Sequence, residues 1–250
     1  DGSMGSKNGV GPNGAAAPLS VSVFASASPE TPDAYIEAAA ELGARLADAG
    51  FHCVNGGGSR GCMGALNRAV QKHGGRVTGV IHEKWIGEEA AAGLDELIVV
   101  GGDDLCLRKQ GLFDNGDVLV TLPGGVGTID ELFDGIAGVH TGLSTLPICI
   151  VNVNGYYDHM LAQLQRAVDE RLIRMPYASL LHSVSTPAEA VEWCRRQKKR
   201  NGGPKVSSSA YGTAKLFGLE LNYVRGFLHG ATAGVLCAAA FASILRSSTK

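Results

Sequence analysis

Apolar residues along this chain recur at two spacings, and the alternation between them predicts its architecture. Residues 20–25 alternate polar and apolar, the period of a strand, and end in small polar residues. Residues 26–31 follow as a loop on the ligand side of a sheet. From Pro32 and Asp33 to about Ala49 the period lengthens to that of a helix, with Ile36, Ala39, Ala40 and Leu46 on its inner side and Gly50 as its stop. The two periods then repeat: strand 51–54, helix 63–72 closed by Gly74 and Gly75, strand 77–81, strand 96–100, and helix 103–113 ended near Asn115-Gly116. Strand 117–122, a helix from about Thr128 to Thr141, strand 147–153, an amphipathic helix 157–171, a short strand 181–184 and helix 187–198 complete the series. Residues 82–93 carry no clear period and read as a loop over the site. Strands alternating with helices through seven units predict an α/β fold: a doubly wound, mostly parallel, Rossmann-like sheet with helices on both faces and its sites at the strand ends.

The two ends depart from this pattern. Residues 1–18 hold five glycines and no apolar segment, which predicts a flexible N-terminal segment with no secretory signal, ahead of a domain over residues 19–200. Arg195, Arg196, Lys198, Lys199 and Arg200 run into Asn201-Gly202-Gly203-Pro204, a solvated helix end and a linker. Residues 201–250 are read as that linker and a C-terminal apolar helix. Residues 227–245 contain no Asp, Glu, Lys or Arg, and Gly226, Gly230, Gly234, Ala238 and Ala242 form a small-residue ridge at every fourth position. Two readings stand for this tail: a helix packed on its own or a partner subunit, or a membrane anchor of barely sufficient length.

Composition narrows the function classes. A hydrophobic content of 45% and a charged content of 18% are those of an ordinary globular protein, and a net charge of −2 with a pI near 6.4 leaves no electrostatic footprint for nucleic acid. The six cysteines, at 53, 62, 106, 149, 194 and 237, show neither CxxC nor clustered spacing, which predicts reduced, mostly buried thiols and a cytoplasmic location. Histidines at 52, 73, 82, 140, 159, 182 and 229 form no ligand cluster, so neither a metal nor a cofactor is expected.

Two glycine turns carry the candidate chemistry. Pro123-Gly124-Gly125-Val126-Gly127-Thr128-Ile129-Asp130-Glu131 joins a strand to a helix. Glycines there let backbone N–H groups approach a ligand, the helix N-terminus favours an anion, and Thr128 adds a hydroxyl donor, so a phosphate is the natural occupant. Glu131 stands three residues beyond Thr128, on roughly the same helix face. A carboxylate beside a phosphate suits the handling of water or of a developing positive charge; it is equally an ordinary first-turn acid that favours the helix dipole. The second turn, Gly56-Gly57-Gly58-Ser59-Arg60-Gly61-Cys62-Met63-Gly64, follows strand 51–54.

Taken together, the two turns resemble the signature of the Lonely Guy family of cytokinin riboside monophosphate phosphoribohydrolases, whose members were long labelled lysine decarboxylases. The resemblance runs from about Ser20 to Arg196, and the PGGxGTxxE turn is its more specific part. It implies hydrolysis of the N-glycosidic bond of a nucleoside 5′-monophosphate, a cytokinin riboside monophosphate or AMP, to free base and ribose 5-phosphate. It further implies a homodimer or larger assembly, with a site completed near the subunit contact. By the same resemblance Glu131 and Arg108 are the catalytic pair, with Lys109 contributing to binding. Gly124, Gly125, Gly127 and Thr128 would hold the 5′-phosphate, while Gly57, Gly58 and Ser26 would face the nucleotide from neighbouring strands. Glu89 matches a further substrate residue, although His82 stands where proline is usual and Gly87 replaces another. Gly138 and His140 stand where the family often has Trp and Gln, near its dimer contact and substrate pocket. The first loop, Ala25-Ser26-Ala27-Ser28, replaces a cysteine, a glycine and two serines.

Three other classes compete. A nucleotide-binding carrier or sensor on the same fold would keep the glycines and could discard the Arg-Glu pair, yet both members are present. Decarboxylation would need a Schiff-base lysine and an acidic partner for a pyridoxal ring, a set with no place on this chain. Neither turn reads as the GxGxxG fingerprint of a dinucleotide enzyme.

Overall fold

The computed structural model describes residues 17–86, 90–200, 211–216 and 219–224. Seven strands form one sheet: β1 (Ser20–Phe24), β2 (His52–Asn55), β3 (Arg76–His82), β4 (Glu96–Val100), β5 (Val118–Thr121), β6 (Ile148–Val151) and β7 (His182–Val184). All six pairings are parallel, in the order β4-β3-β2-β1-β5-β6-β7. The chain therefore winds outward from β1 through β4 and then returns to the other side of β1 to lay down β5. That reversal opens a crevice between the carboxyl ends of β1 and β5, the usual ligand site of such sheets.

Helices cover both faces. α1 (Asp33–Asp48), α2 (Gly61–Lys72) and α6 (Pro187–Arg200) share one apolar core with Val21, Val23, Cys53, Val118 and Val120. α3 (Cys106–Asp114), α4 (Val126–His140) and α5 (Asp158–Asp169) flank the other face, whose core includes Phe24, Leu119, Leu132, Ile136 and Ile150. Because successive strand residues point to opposite faces, Val118 and Val120 serve one core and Leu119 the other, which is why β5 has no polar face.

The expected elements appear with small shifts. The inner face of α1 is Ala38, Ala39, Leu42, Gly43 and Leu46, with Ile36 and Ala40 only half-buried. The rotation follows from α2 packing directly against Gly43, where an added Cβ would lie 2.5 Å from Leu66 O. α3 begins at Cys106 rather than 103, because the Asp104 carboxylate accepts from the Cys106 N–H at 2.8 Å and holds 103–105 as a turn. The unpatterned stretch after β3 contains a 3-10 turn, Glu83–Trp85.

Two compact units divide the chain, Asp1–Pro204 and Lys205–Lys250. In the second, β8 (Tyr211–Leu216) and β9 (Leu219–Val224) pair antiparallel. They occupy a stretch read from the sequence as linker, where the alternation of Leu219, Leu221 and Tyr223 with polar residues is a strand signal. Residues 227–245, and with them the apolar tail, lie outside the described residues, as does Glu89. Among the described residues no helix is long and apolar enough to cross a membrane.

Candidate active site

A cleft of about 310 Å³ opens at the β1/β5 reversal, between the loop after β1, the turn after β2 and the amino ends of α3 and α4. Ser26, Gly58, Arg108, Lys109, Gly125, Gly127, Thr128 and Glu131 all line it. Gly57 and Gly124 stand behind the wall. Gly57 sits against Gly79 Cα, and Gly124 lies so close to Thr128 that a Cβ there would collide with the threonine side chain.

The centre of the cleft is an ion pair. Arg108 Nη1 donates to Glu131 Oε1 at 2.6 Å, with both side chains about nine-tenths buried. Arg108 Nε donates to Val80 O at 3.2 Å, and the guanidinium lies 5.7 Å from the centre of the Trp85 ring. The guanidinium reaches this position across the first glycine turn. A Cβ at Gly56 would collide with Arg108 Nη2, so glycine at 56 leaves the guanidinium room to lie where it pairs with Glu131. Burial pushes the Glu131 carboxyl above its ordinary value and outweighs the opposing pull of Arg108. Such a carboxylate is a stronger base than a solvated one, which suits it to take a proton from water.

Lys109 lines the cleft but is spoken for: Nζ lies 3.3 Å from an Asp130 oxygen and 3.2 Å from Asp134. Burial alone would lower its pKa, but the two carboxylates together raise it, so the lysine stays charged. It ties α3 to α4 beside the Arg108–Glu131 pair.

α4 opens without a side-chain cap. Gly125 is its extended N-cap residue, and the first N–H groups of the helix are left for a ligand or water. A Cβ at Gly125 or Gly127 would meet nothing within 4 Å. The chain's own packing therefore does not require glycine at either place, and the open space belongs to the cleft.

The family model described as "possible lysine decarboxylase" matches residues 63–194, a span that includes both members of the ion pair and the glycine turn between β5 and α4. Over 175 residues the chain is 37% identical to the cytokinin riboside 5′-monophosphate phosphoribohydrolase of Mycobacterium tuberculosis, covering 70% of this chain and 92% of that protein. Over 184 residues it is 33% identical to the cytokinin riboside 5′-monophosphate phosphoribohydrolase LOG5 of Arabidopsis thaliana, covering 73% and 80%. The chain belongs to the Lonely Guy family. Among solved structures, the molybdenum cofactor carrier protein of Chlamydomonas reinhardtii shares the fold, with a TM-score of 0.56 at 20% identity over 73% of this chain and 99% of that one.

Several residues that shape this cleft carry no clear signal in the sequence. Asn55 and Asn67 are both buried: Asn55 donates to Asn67 Oδ1 at 2.6 Å and accepts from Gly57 N–H, while Asn67 donates to Gly58 O at 3.0 Å. The two amides clamp the first glycine turn, and only the Asn-Gly step at 55–56 signals it in sequence. Trp85, Met63 and Leu105 give the cleft an apolar flank; Trp85 lies in the stretch without a clear period, whereas Met63 and Leu105 stand at the starts of stretches with helical spacing. Ser26, singled out as a contact, is largely committed to structure. Its hydroxyl pairs with Thr31 Oγ1 at 2.7 Å, its N–H donates to Pro123 O, and its carbonyl accepts from Met63 N–H.

A second, shallower depression near Val168, Arg171 and Met175 has no carboxylate in its wall. Among the described residues no group of three His, Cys, Asp or Glu could hold a metal ion.

Proposed function

We propose that this chain hydrolyses the N-glycosidic bond of a nucleoside 5′-monophosphate, a cytokinin riboside monophosphate or AMP, releasing free base and ribose 5-phosphate. The observation that carries the reading is the buried Arg108–Glu131 pair beside the uncapped start of α4, in a chain 37% identical to a protein named for this reaction. The 5′-phosphate sits on the N–H groups and Thr128 hydroxyl at the head of α4. That places the ribose one helical turn further in, against Glu131. As the C1′–N bond breaks, its electron pair leaves with the base and the ribose becomes cationic; the Glu131 carboxylate stabilises that charge and accepts a proton from the attacking water. The water oxygen bonds to C1′, and the proton taken by Glu131 passes to the departing base, directly or through solvent water, which restores the carboxylate. Arg108 holds Glu131 in place and offers a donor to a sugar or phosphate oxygen.

Release of adenine from AMP and of isopentenyladenine from its riboside 5′-monophosphate tests this. We expect wild type to release base, and Glu131→Ala and Arg108→Ala each to lose at least about 100-fold in kcat. A wild type that binds the nucleotide and releases nothing would instead be a carrier.

We further infer a homodimer. Val126, Ile129 and Phe133 are spaced as one stripe of α4 and are 86%, 38% and 39% exposed, an apolar strip beside the cleft. The mass of the purified chain in solution decides it, and a monomer at micromolar concentration defeats it. Cys53, Cys62, Cys106, Cys149 and Cys194 are free thiols, which supports placing the protein in a reducing compartment such as the cytoplasm. Disulfides in protein isolated under thiol-blocking conditions would contradict that placement.

A further inference from the structure

Both tyrosines that follow β6 reach across to the glycine turn between β5 and α4. The Tyr156 hydroxyl donates to Gly124 O at 2.5 Å, and the Tyr157 hydroxyl donates to Leu122 O at 2.7 Å. Between them, Pro123 O accepts from the Ser26 N–H at 3.2 Å. Three consecutive carbonyls of the turn thus each have a partner within the protein. A carbonyl oxygen left to swing toward a bound phosphate would repel it.

The consequence is sharpest at the Gly124–Gly125 peptide. In a trans peptide the C=O and N–H point in opposite directions. Gly124 O is fixed on Tyr156, which is no part of the cleft wall, whereas Gly125 lines the cleft. Pinning the carbonyl on one side therefore turns the Gly125 N–H to the other, toward the place of the phosphate. Glycines allow that peptide to rotate, so without a restraint its two orientations compete.

The tyrosine is itself set by a constrained turn. Asn154 and Gly155 are consecutive left-handed residues, at φ of 52° and 71°, and a Cβ at Gly155 would lie 2.5 Å from an Asp158 oxygen. Asn152 fixes the far end, donating to Asp158 Oδ1 and accepting from the Tyr157 N–H, each at 2.7 Å. Edge-to-face contacts with Tyr35 and Tyr157, at centroid distances of 5.5 and 4.9 Å, hold the Tyr156 ring. So much local constraint on a residue that is 38% exposed makes little sense for packing alone.

We infer that Tyr156 is a positioning residue for phosphate recognition: by holding Gly124 O, it presets the β5–α4 turn with its N–H toward the 5′-phosphate. This rests on the proposed nucleotide monophosphate reading of the site. Tyr156→Phe keeps the ring and removes the hydroxyl. Calorimetry with ribose 5-phosphate as probe and adenosine as comparator reads the effect. The Kd for ribose 5-phosphate should rise about 3- to 10-fold, the worth of one hydrogen bond, with adenosine unchanged. KM for AMP should rise by the same factor with kcat within about twofold. Gly125→Pro, at a position whose φ of −85° lies close to the proline range, deletes the N–H that Tyr156 aims. In that background Tyr156→Phe should add little. Unchanged ribose 5-phosphate affinity, an equal loss for adenosine, or fully additive losses in the double variant would each overturn the inference. A wild type that binds ribose 5-phosphate yet releases no base from any nucleotide would defeat the hydrolase reading and leave this one standing.

Discussion

Burial pulls Glu131 toward its neutral form, and Arg108 pulls it back toward the carboxylate; burial wins. The sign of this imbalance separates activity from stability. A carboxyl whose folded pKa lies above the ordinary value of 4.5 gives the folded state the extra proton between those two values. Stability therefore falls as pH rises through that window, while catalysis, which needs the carboxylate, rises. The acid limb of kcat/KM should lie above pH 4.5. Glu131→Gln, which mimics the neutral form, should lose activity yet unfold at the same or a higher temperature than wild type at pH 7. Arg108→Ala is the opposite case, because it strands a buried carboxylate, and it should cost up to about 3–5 kcal/mol in stability. Thermal unfolding of the three proteins checks the asymmetry, and a Glu131→Gln protein that melts well below wild type contradicts it.

At the scale of elements, the first glycine turn depends on α2, whose sequence shows only the spacing of a packed helix. Asn67 on α2 donates to Gly58 O and accepts from Asn55, all within the buried interior. Asn67→Ala leaves those two groups without a partner, and a loss of about 1–3 kcal/mol is expected in denaturant unfolding. The elements themselves were legible because short strand-period or apolar runs at β1, β2, β3 and β5 alternate with helical spacings, and because Gly50 and the pair Gly74-Gly75 punctuate the helices. The turn at the head of α4 stood out as a candidate ligand site through its glycines, and Gly125, Gly127 and Thr128 line the cleft. What could not be read was anything set by contacts between distant segments. Gly56 looks like one more loop glycine until Arg108 arrives from α3. Tyr156 and Tyr157 look like the start of α5 until the sheet order brings β6 beside β5. Trp85 sits in a stretch without periodicity, where no pattern distinguishes a cleft wall from a surface loop.

For the whole molecule, the winding order decides which parts of the chain meet. Because β1 lies between β2 and β5, the loops after all three converge, and α3 and α4 flank the same face of the sheet. Arg108 and Glu131, 23 positions apart, are thereby brought together at 2.6 Å by segments of one chain. If two copies associate through the exposed stripe of α4, each still carries its own complete catalytic pair. Complementation between crippled subunits should then fail. Refolding a mixture of Arg108→Ala and Glu131→Ala chains should restore no base release, whereas mixing wild type with either should leave activity in proportion to the wild-type fraction. A gene encoding this chain would on that account show no rescue between two such alleles.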